Sequence, residues 1–377
     1  TATALGKLVS EGKLDWDAPI SQYISYISPQ YAHLTCRQFA GHTSGMSHRP
    51  KGNSYKKKHY DAIKPTVELI KAPLLFEPDT GYKYSSNAFN LLAAVIEGAS
   101  GKNYKDYLQT EIFAPLDMQH TKAENINQLD SQDAQLYFFK KEKLTKEKKS
   151  TTGSYKLAGA GFRSTPSDLV KLLQAYKNEM ISPSVVEEMF TSHTLKNGEQ
   201  TQVGIAWRNS FDAFGHPVIE HAGSWTGART VVVYYPSEGL TISVMINTRC
   251  QVFIEETAHL FAQAFRNEST QLAFPSILEQ EVLVTNRLNP EEVRQSNGEL
   301  ILKNGEGNLT TEMDGFLRSN PIVSLGSEGD YALVTTHGLL YLALGNEPLL
   351  KGDIYLYEQR NVVAPNEKEA GVVLEGR

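Results

Sequence analysis

The stretch "PVIEHAGSWTGARTVVVYYPSEGLTISVMIN", residues 217–247, decides the fold. Its β-branched and aromatic residues gather in short runs, "PVIEHA", "RTVVVYY" and "LTISVMIN", and Pro236-Ser237-Glu238-Gly239 supplies a turn. Such runs predict an antiparallel meander, joined upstream by "VGIAWR" at 203–208. Downstream, Phe253, Ile254, Ala258, Phe261 and Phe265 recur at helical spacing and predict one long amphipathic helix. Helices, then a sheet, then a closing helix argue for an α+β fold, with a helical layer on an antiparallel sheet.

The residues before 201 supply that layer. Ala4, Leu5, Leu8 and Val9 mark a helix that ends near Gly12, and this helix is already under way where the chain begins. Residues 17–20 read as extended. A second helix is predicted from a Thr35 cap to residues 42–45, followed by a polar, lysine-rich surface loop over 47–65. Asn87 to Glu97 is a strong helix with Phe89, Leu92, Val95 and Ile96 on one face, and Asn103 to Phe113 is another, stopped by Pro115. In "STPSDLVKLLQAY", Thr165 can cap, Pro166 suits the first helical position and Asp168 favours the positive helix end. The lysine cluster between 140 and 149 reads as a solvated hairpin or loop, with a docking patch as the alternative.

With 377 residues the chain exceeds one typical domain. We read residues 1–271 as one unit. Residues 272–377, with runs such as "GELILK", "YALVT" and "LLYLAL" between Gly and Asn turns, read as a small all-β barrel or sandwich. A formal charge of −6 gives the whole protein no cationic field for nucleic acid. No apolar run reaches the roughly 20 residues of a membrane span. Cys36 and Cys250 read as two buried thiols, with a pairing left open. The ten histidines contain no H-E-x-x-H pair and two cysteines cannot supply a thiolate zinc site, so no metal is expected. There is no phosphate-binding G-x-x-x-x-G-K-[ST] loop, and no cofactor is expected.

Three local patterns carry chemistry. Tyr84-Ser85-Ser86 precedes the strong helix, whose positive end favours a phenolate. His221-Ala222-Gly223-Ser224 ends a predicted strand, where Gly223 allows close backbone approach and the Ser224 N–H can serve as an oxyanion donor. "HTSG" at 42–45 says only that the chain turns among small residues.

Taken in order, "TATALGKLVSEGKLDWDAPI", "LTCRQFAGHTSGM", "YKYSSNAFNLLAAVIEGASG", "AGAGFRSTPSDLVKL", "VGIAW" and "EHAGSWTGARTVVVYYP" make a specific series. It resembles the serine β-lactamase and DD-peptidase superfamily, on the side of class C β-lactamases, their esterase cousins and the β-lactamase-like proteins of bacteria and mitochondria. The resemblance runs from Thr1 to about Arg266. It implies that an S-x-x-K turn, bearing the nucleophilic serine and its lysine, belongs just ahead of the "TATAL" block, together with leading strands of the sheet. Ser54-Tyr55-Lys56-Lys57 matches S-x-x-K but lies in a lysine-rich loop after "HTSG", so we reject it.

By the same resemblance Tyr84 shares proton transfer with the lysine. Ser86 stands where relatives often carry Asn, and Asn87 is its possible substitute for substrate contact. His221, in the place of the lysine of a K-T-G strand, would orient substrate or tyrosine with a pH-dependent charge. Ala222 and Gly223 would line the substrate strand, and Ser224 would give half an oxyanion hole. His42, Ser44 and Gly45 would fasten a buried turn. Gly159 and Gly161 would permit tight approach beneath the site. Trp207 reads as core in preference to pocket lining. The expected activity of the parent is acyl-enzyme hydrolysis of a small-molecule or peptide substrate: an amide, peptide, β-lactam or ester. The chain as it stands is expected to be inactive. A non-catalytic binding protein and a scaffold or filament protein are the rivals. The resemblance leans toward an exported or periplasmic bacterial enzyme, and oligomeric state stays open.

Overall fold

The computed structural model describes residues 1–125, 133–140, 143–147, 153–212, 216–249 and 254–265, and beyond these only the backbone of short strands. Helix α1 (Ala2–Ser10) buries Thr3, Ala4, Leu5, Gly6 and Leu8, and Gly12 turns the chain away at a φ of 67°. Helix α2 (Cys36–Ala40) starts with a complete capping box, in which Thr35 Oγ1 accepts from the Gln38 N–H and Gln38 returns the bond. This helix is shorter than the sequence predicts. It stops before 42–45 because His42 takes a left-handed φ of 61°, which an α-helix cannot continue.

Helix α3 (Ser86–Ser100) is the axis of the helical layer. Residues 90–96 are buried all round, so its apolar character is not confined to the face predicted from 89, 92, 95 and 96. A Cβ at Gly98 would lie 2.0 Å from the Tyr23 carbonyl oxygen, so the neighbouring chain can approach only because no side chain stands there. Helix α4 (Pro166–Leu172) follows the predicted cap, with Thr165 Oγ1 accepting from the Asp168 N–H. Asp168 does more than face a helix dipole: it is buried and accepts from the His120 N–H and the Thr121 hydroxyl. Helix α5 (Pro183–Phe190) packs its Met189 against Gly6 of α1.

The meander forms a four-stranded antiparallel sheet in chain order, β1 (Arg208–Phe211), β2 (Pro217–Trp225), β3 (Ala228–Tyr235) and β4 (Leu240–Ile246). "VGIAWR" contributes only its last residue, because Gln202 and Ala206 adopt positive φ and break the extended run. Alternation along the strands separates two cores. Val218, Val231, Val233 and Tyr235 face helix α6 (Ile254–Gln263), meeting its Ile254, Ala258 and Ala262. Ile219, Val232 and Tyr234 join the main helical core. The predicted apolar stripe of α6 is corrected at its end: Phe261 and Phe265 are exposed, and Ala258 and Ala262 make the seam.

The loop at 47–65 is less exposed than its lysines suggest, since Tyr55, Tyr60 and Ile63 are buried. The polar stretch after 131 contains a hairpin, Tyr137–Lys140 paired with Lys143–Lys146. Cys36 is a buried free thiol, and Cys250 lies outside the described residues, as do Phe253 and Arg266. Among residues 272–377 the described backbone comprises antiparallel strands, Ile322–Leu325, Tyr331–Thr336, Leu339–Leu344 and Tyr355–Glu358 in one sheet and Val293–Ser296, Glu299–Leu302 and Val373–Leu374 in another. Whether they close into the predicted barrel or sandwich lies outside the described residues. No helix among the described residues is long and apolar enough to cross a membrane.

Candidate active site

Two walls meet at Tyr84. The first is the mouth of α3. Ser85 caps the helix, its Oγ accepting from the Ala88 N–H at 3.1 Å and donating to the Ser47 carbonyl at 2.9 Å. The Ser85 N–H donates to His42 Nδ1 at 3.2 Å, which fixes that imidazole under Tyr84, the two ring centroids 4.3 Å apart. The turn bearing His42 is tied down in turn. Thr43 Oγ1 donates to Asp79, Lys83 N–H donates to the His42 carbonyl, and Leu75 N–H donates to the Gly45 carbonyl. Gly45 has a φ of 72°, and a Cβ there would stand 2.3 Å from the Phe76 carbonyl oxygen, so only glycine fits. Ser44 is buried in the same turn.

The second wall is the end of β2. Alternation aims His221, Gly223 and Trp225 at the helical side, and the His221 ring lies 6.4 Å from that of Tyr84. Strand β1 pairs only with residues 217–220, while β3 pairs along the whole of 219–225. Residues 221–225 therefore have no strand partner on the β1 side among the described residues. That edge presents backbone donors and acceptors beside Tyr84, where an extended ligand can add to the sheet. Ser224 is exposed at its end, with its Oγ accepting from Arg229. Gly223 answers a second need besides ligand approach: a Cβ there would sit 2.5 Å from Thr230 Oγ1 across the ladder.

His221 is half-buried and its pKa is pushed down to about 4, first by burial and then by Arg208. It is therefore a neutral imidazole near pH 7, and its charge appears only in acid.

Ser86 is buried, and its N–H donates to His48 Nδ1 at 3.3 Å. Gly159 packs beneath it, with a Cβ there falling 3.5 Å from Ser86, and a Cβ at Gly161 would strike Leu157 at 2.6 Å. Asn87 is buried too, and its Nδ2 donates to the Ser47 carbonyl at 3.0 Å, so its amide holds the 47 loop to the helix. That occupation argues against Asn87 as a replacement for the amide missing at 86. Trp207 is core: it is buried and its Nε1 donates to the Tyr176 hydroxyl at 2.9 Å. Ser54 is exposed on a short 3₁₀ turn, Ser54–Lys57. Ser10-Glu11-Gly12-Lys13 has the same spacing, but Ser10 Oγ donates to the Gly6 carbonyl and Lys13 pairs with Glu11.

Sequence reasoning missed two basic residues. The His48 ring lies 5.5 Å from that of Tyr84, tilted against it by 48°, and burial followed by Arg49, Lys156 and Lys83 lowers its pKa to about 4. Lys156 is buried, with its Nζ 4.7 Å from the centre of the Trp225 ring. Both lie in stretches that read as polar loop, and only tertiary packing brings them to the site.

The beta-lactamase family model matches residues 1–263. This chain belongs to that family. It is 28% identical over 268 residues to penicillin-binding protein 4* of Bacillus subtilis, covering 65% of this chain and 58% of that protein. It is 38% identical over 255 residues to the mitochondrial serine beta-lactamase-like protein LACTB of Mus musculus, covering 57% of this chain and 46% of that protein. The chain thus spans about half the length of these relatives. Among solved structures, a penicillin binding protein from Bacillus halodurans superposes with a TM-score of 0.58 at 20% identity, over 70% of this chain and 83% of that one. The D-amino acid amidase of Ochrobactrum anthropi, crystallised with D-phenylalanine, gives 0.58 at 20% identity, over 70% and 82%. These likenesses support the β-lactamase/transpeptidase-like α+β fold.

Proposed function

We propose that the protein to which this chain belongs is a serine hydrolase that works through an acyl-enzyme on an amide, peptide, β-lactam or ester bond. The observation that carries the proposal is the open edge of 221–225, with the His221 ring 6.4 Å from that of Tyr84. In this reading an extended substrate adds to the β2 edge. Tyr84, at the positive mouth of α3, takes the serine proton and returns it to the leaving group. The Ser224 N–H stabilises the developing oxyanion. His221 orients without charge, which disfavours a role as a fixed cation for a β-lactam carboxylate. The relatives' names, a D-amino acid amidase and a putative D-alanyl-D-alanine carboxypeptidase among them, support amide or peptide bonds as the substrate class.

The attacking serine and its lysine are expected on a turn ahead of Thr1, so the 377-residue chain is expected to be silent. A labelled β-lactam or fluorophosphonate should leave this chain unmarked. In a longer form it should mark one serine, three residues before a lysine, and Tyr84→Phe should lower kcat there by about 10²–10⁴. Labelling within residues 1–377 would overturn the placement of the nucleophile. A longer form that takes no label and hydrolyses no amide or ester would overturn the hydrolase itself.

A further inference from the structure

The chain is acidic, yet one corner of the site collects cations without a counter-charge among the described residues. Lys156 is 7% exposed. Its Nζ lies over the face of Trp225, and among the described residues it has no carboxylate partner. Arg49 and Lys56 are close enough to push its pKa down further, after burial, to about 8. Arg49 also acts on Tyr55 and Tyr155, and Arg49, Lys156 and Lys83 together act on His48. Of these cations, Lys56 donates to the neutral Asn53 Oδ1.

The walls of the corner are aromatic. Tyr55, Tyr60 and Tyr155 form a small buried cluster, and Trp225 packs against it from the end of β2, one residue beyond Ser224. Cation–π contact is worth about 2 kcal/mol when desolvated. It explains the Lys156–Trp225 pose, but not the gathering of further cations around a buried ammonium that burial already penalises.

Resting on the hydrolase reading, we infer that Lys156, with Arg49 at the rim, forms a carboxylate subsite against Trp225, so that the preferred substrate carries a free carboxylate beside an apolar or planar group. A carboxylate here would supply the missing counter-charge and lie on the substrate edge just past the oxyanion position. The site is assembled from the 47–60 loop, the 153–157 segment and β2, and is distinct from the His221 position on the same strand.

Binding tests this without any nucleophile. Trp16 and Trp207 are buried, so ligand-dependent change in tryptophan emission reports on the partly exposed Trp225. The probes are 4-phenylbutyrate and its neutral isostere 4-phenylbutyramide, titrated into the 377-residue chain at low salt. The acid should give a saturable change that Trp225→Phe abolishes, and should bind about tenfold or more tighter than the amide, as expected for a charge-assisted contact. Lys156→Met should erase the preference for the acid, while Lys156→Arg should keep it. Arg49→Gln, at an exposed position, should reduce the preference severalfold and guards against a folding defect in the Met variant. Equal binding of acid and amide, or a preference that survives both Lys156→Met and Arg49→Gln, overturns the inference. Serine labelling of the longer form is read separately, so a failed hydrolase and a failed subsite give different results.

Discussion

Glu220 and His221 are neighbours in sequence and opposites in environment. The strand's alternation sends His221 toward Tyr84 and Glu220 behind the sheet, where it is fully buried and accepts from His259 Nε2 of α6 at 2.8 Å. Two histidines are thus held on the two faces of one sheet. For both, burial is the largest influence and opposes charge. His221 meets Arg208 and stays neutral. His259 meets Glu220 and, at 3.5 Å, Glu256, and these two carboxylates outweigh burial and raise its pKa well above the ordinary value. Burial favours the neutral form of both imidazoles, and only where two carboxylates stand against the ring, at His259, is it outweighed. The imidazole on the substrate face is kept neutral, and the imidazole that clamps the closing helix is ionic.

The most severe way to break this contrast is to remove the buried carboxylate. Glu220→Ala leaves the His259 cation without its nearest partner and should lower the unfolding free energy by about 3–5 kcal/mol in a urea titration. Replacing both groups together, E220M/H259L, should recover most of that loss. Equal instability of the single and double variants would show that shape, not charge, holds α6.

The pH dependence of stability sharpens the contrast, because the two histidines act in opposite directions. His259 is raised in the folded state, so its contribution is complete below about pH 6.5 and is lost as pH rises through its folded value. Measured against His259→Gln, the advantage of the unmodified chain should therefore shrink above pH 6.5. His221 is lowered to about 4, so it favours folding above the ordinary value and loses that contribution as pH falls from 6.5 toward 4. Measured against His221→Asn, stability should decline in that acid window. Glu220, Glu256 and Tyr235 face His259, and Glu255 pairs with Arg208 nearby, so the variants must be compared pairwise.

The smallest effect is expected for His221→Asn itself at neutral pH. No charge is removed there, and the change should be about 1 kcal/mol or less by the same titration. A loss approaching that of Glu220→Ala would mean that both faces of the strand depend on charge.

Much of the fold was legible because it rests on local chemistry. Thr35 and Thr165 declare helix starts through side chains that accept from the first turn, and Pro236 to Gly239 separates two strands whose β-branched runs leave no other reading. The failures come from backbone and tertiary terms that composition does not carry. His42, Gln202 and Ala206 take positive φ, which ended one helix early and removed a predicted strand. Phe261 and Phe265 fit the helical period but miss the seam, because α6 approaches the sheet on its alanines. At the site, Tyr84 and the 221–224 strand could be found from their order along the chain. The charge state of His221 could not, since it follows first from burial and then from Arg208, which the β1–β2 pairing brings near. Lys156 and His48 sit in polar loops that acquire meaning only when folded against Trp225 and Tyr84.

The alanine seam of α6 has a corollary for anyone handling this polypeptide. By meeting the sheet through small residues, the helix turns Leu260 and Phe261 outward, at 61% and 51% exposure, and Phe265 just past its end is 70% exposed. Strand β4 ends the four-stranded sheet that α6 covers. Exposed apolar side chains gathered at one end of the closing helix mark a surface prone to contact, set against a charge of −6 that keeps copies apart.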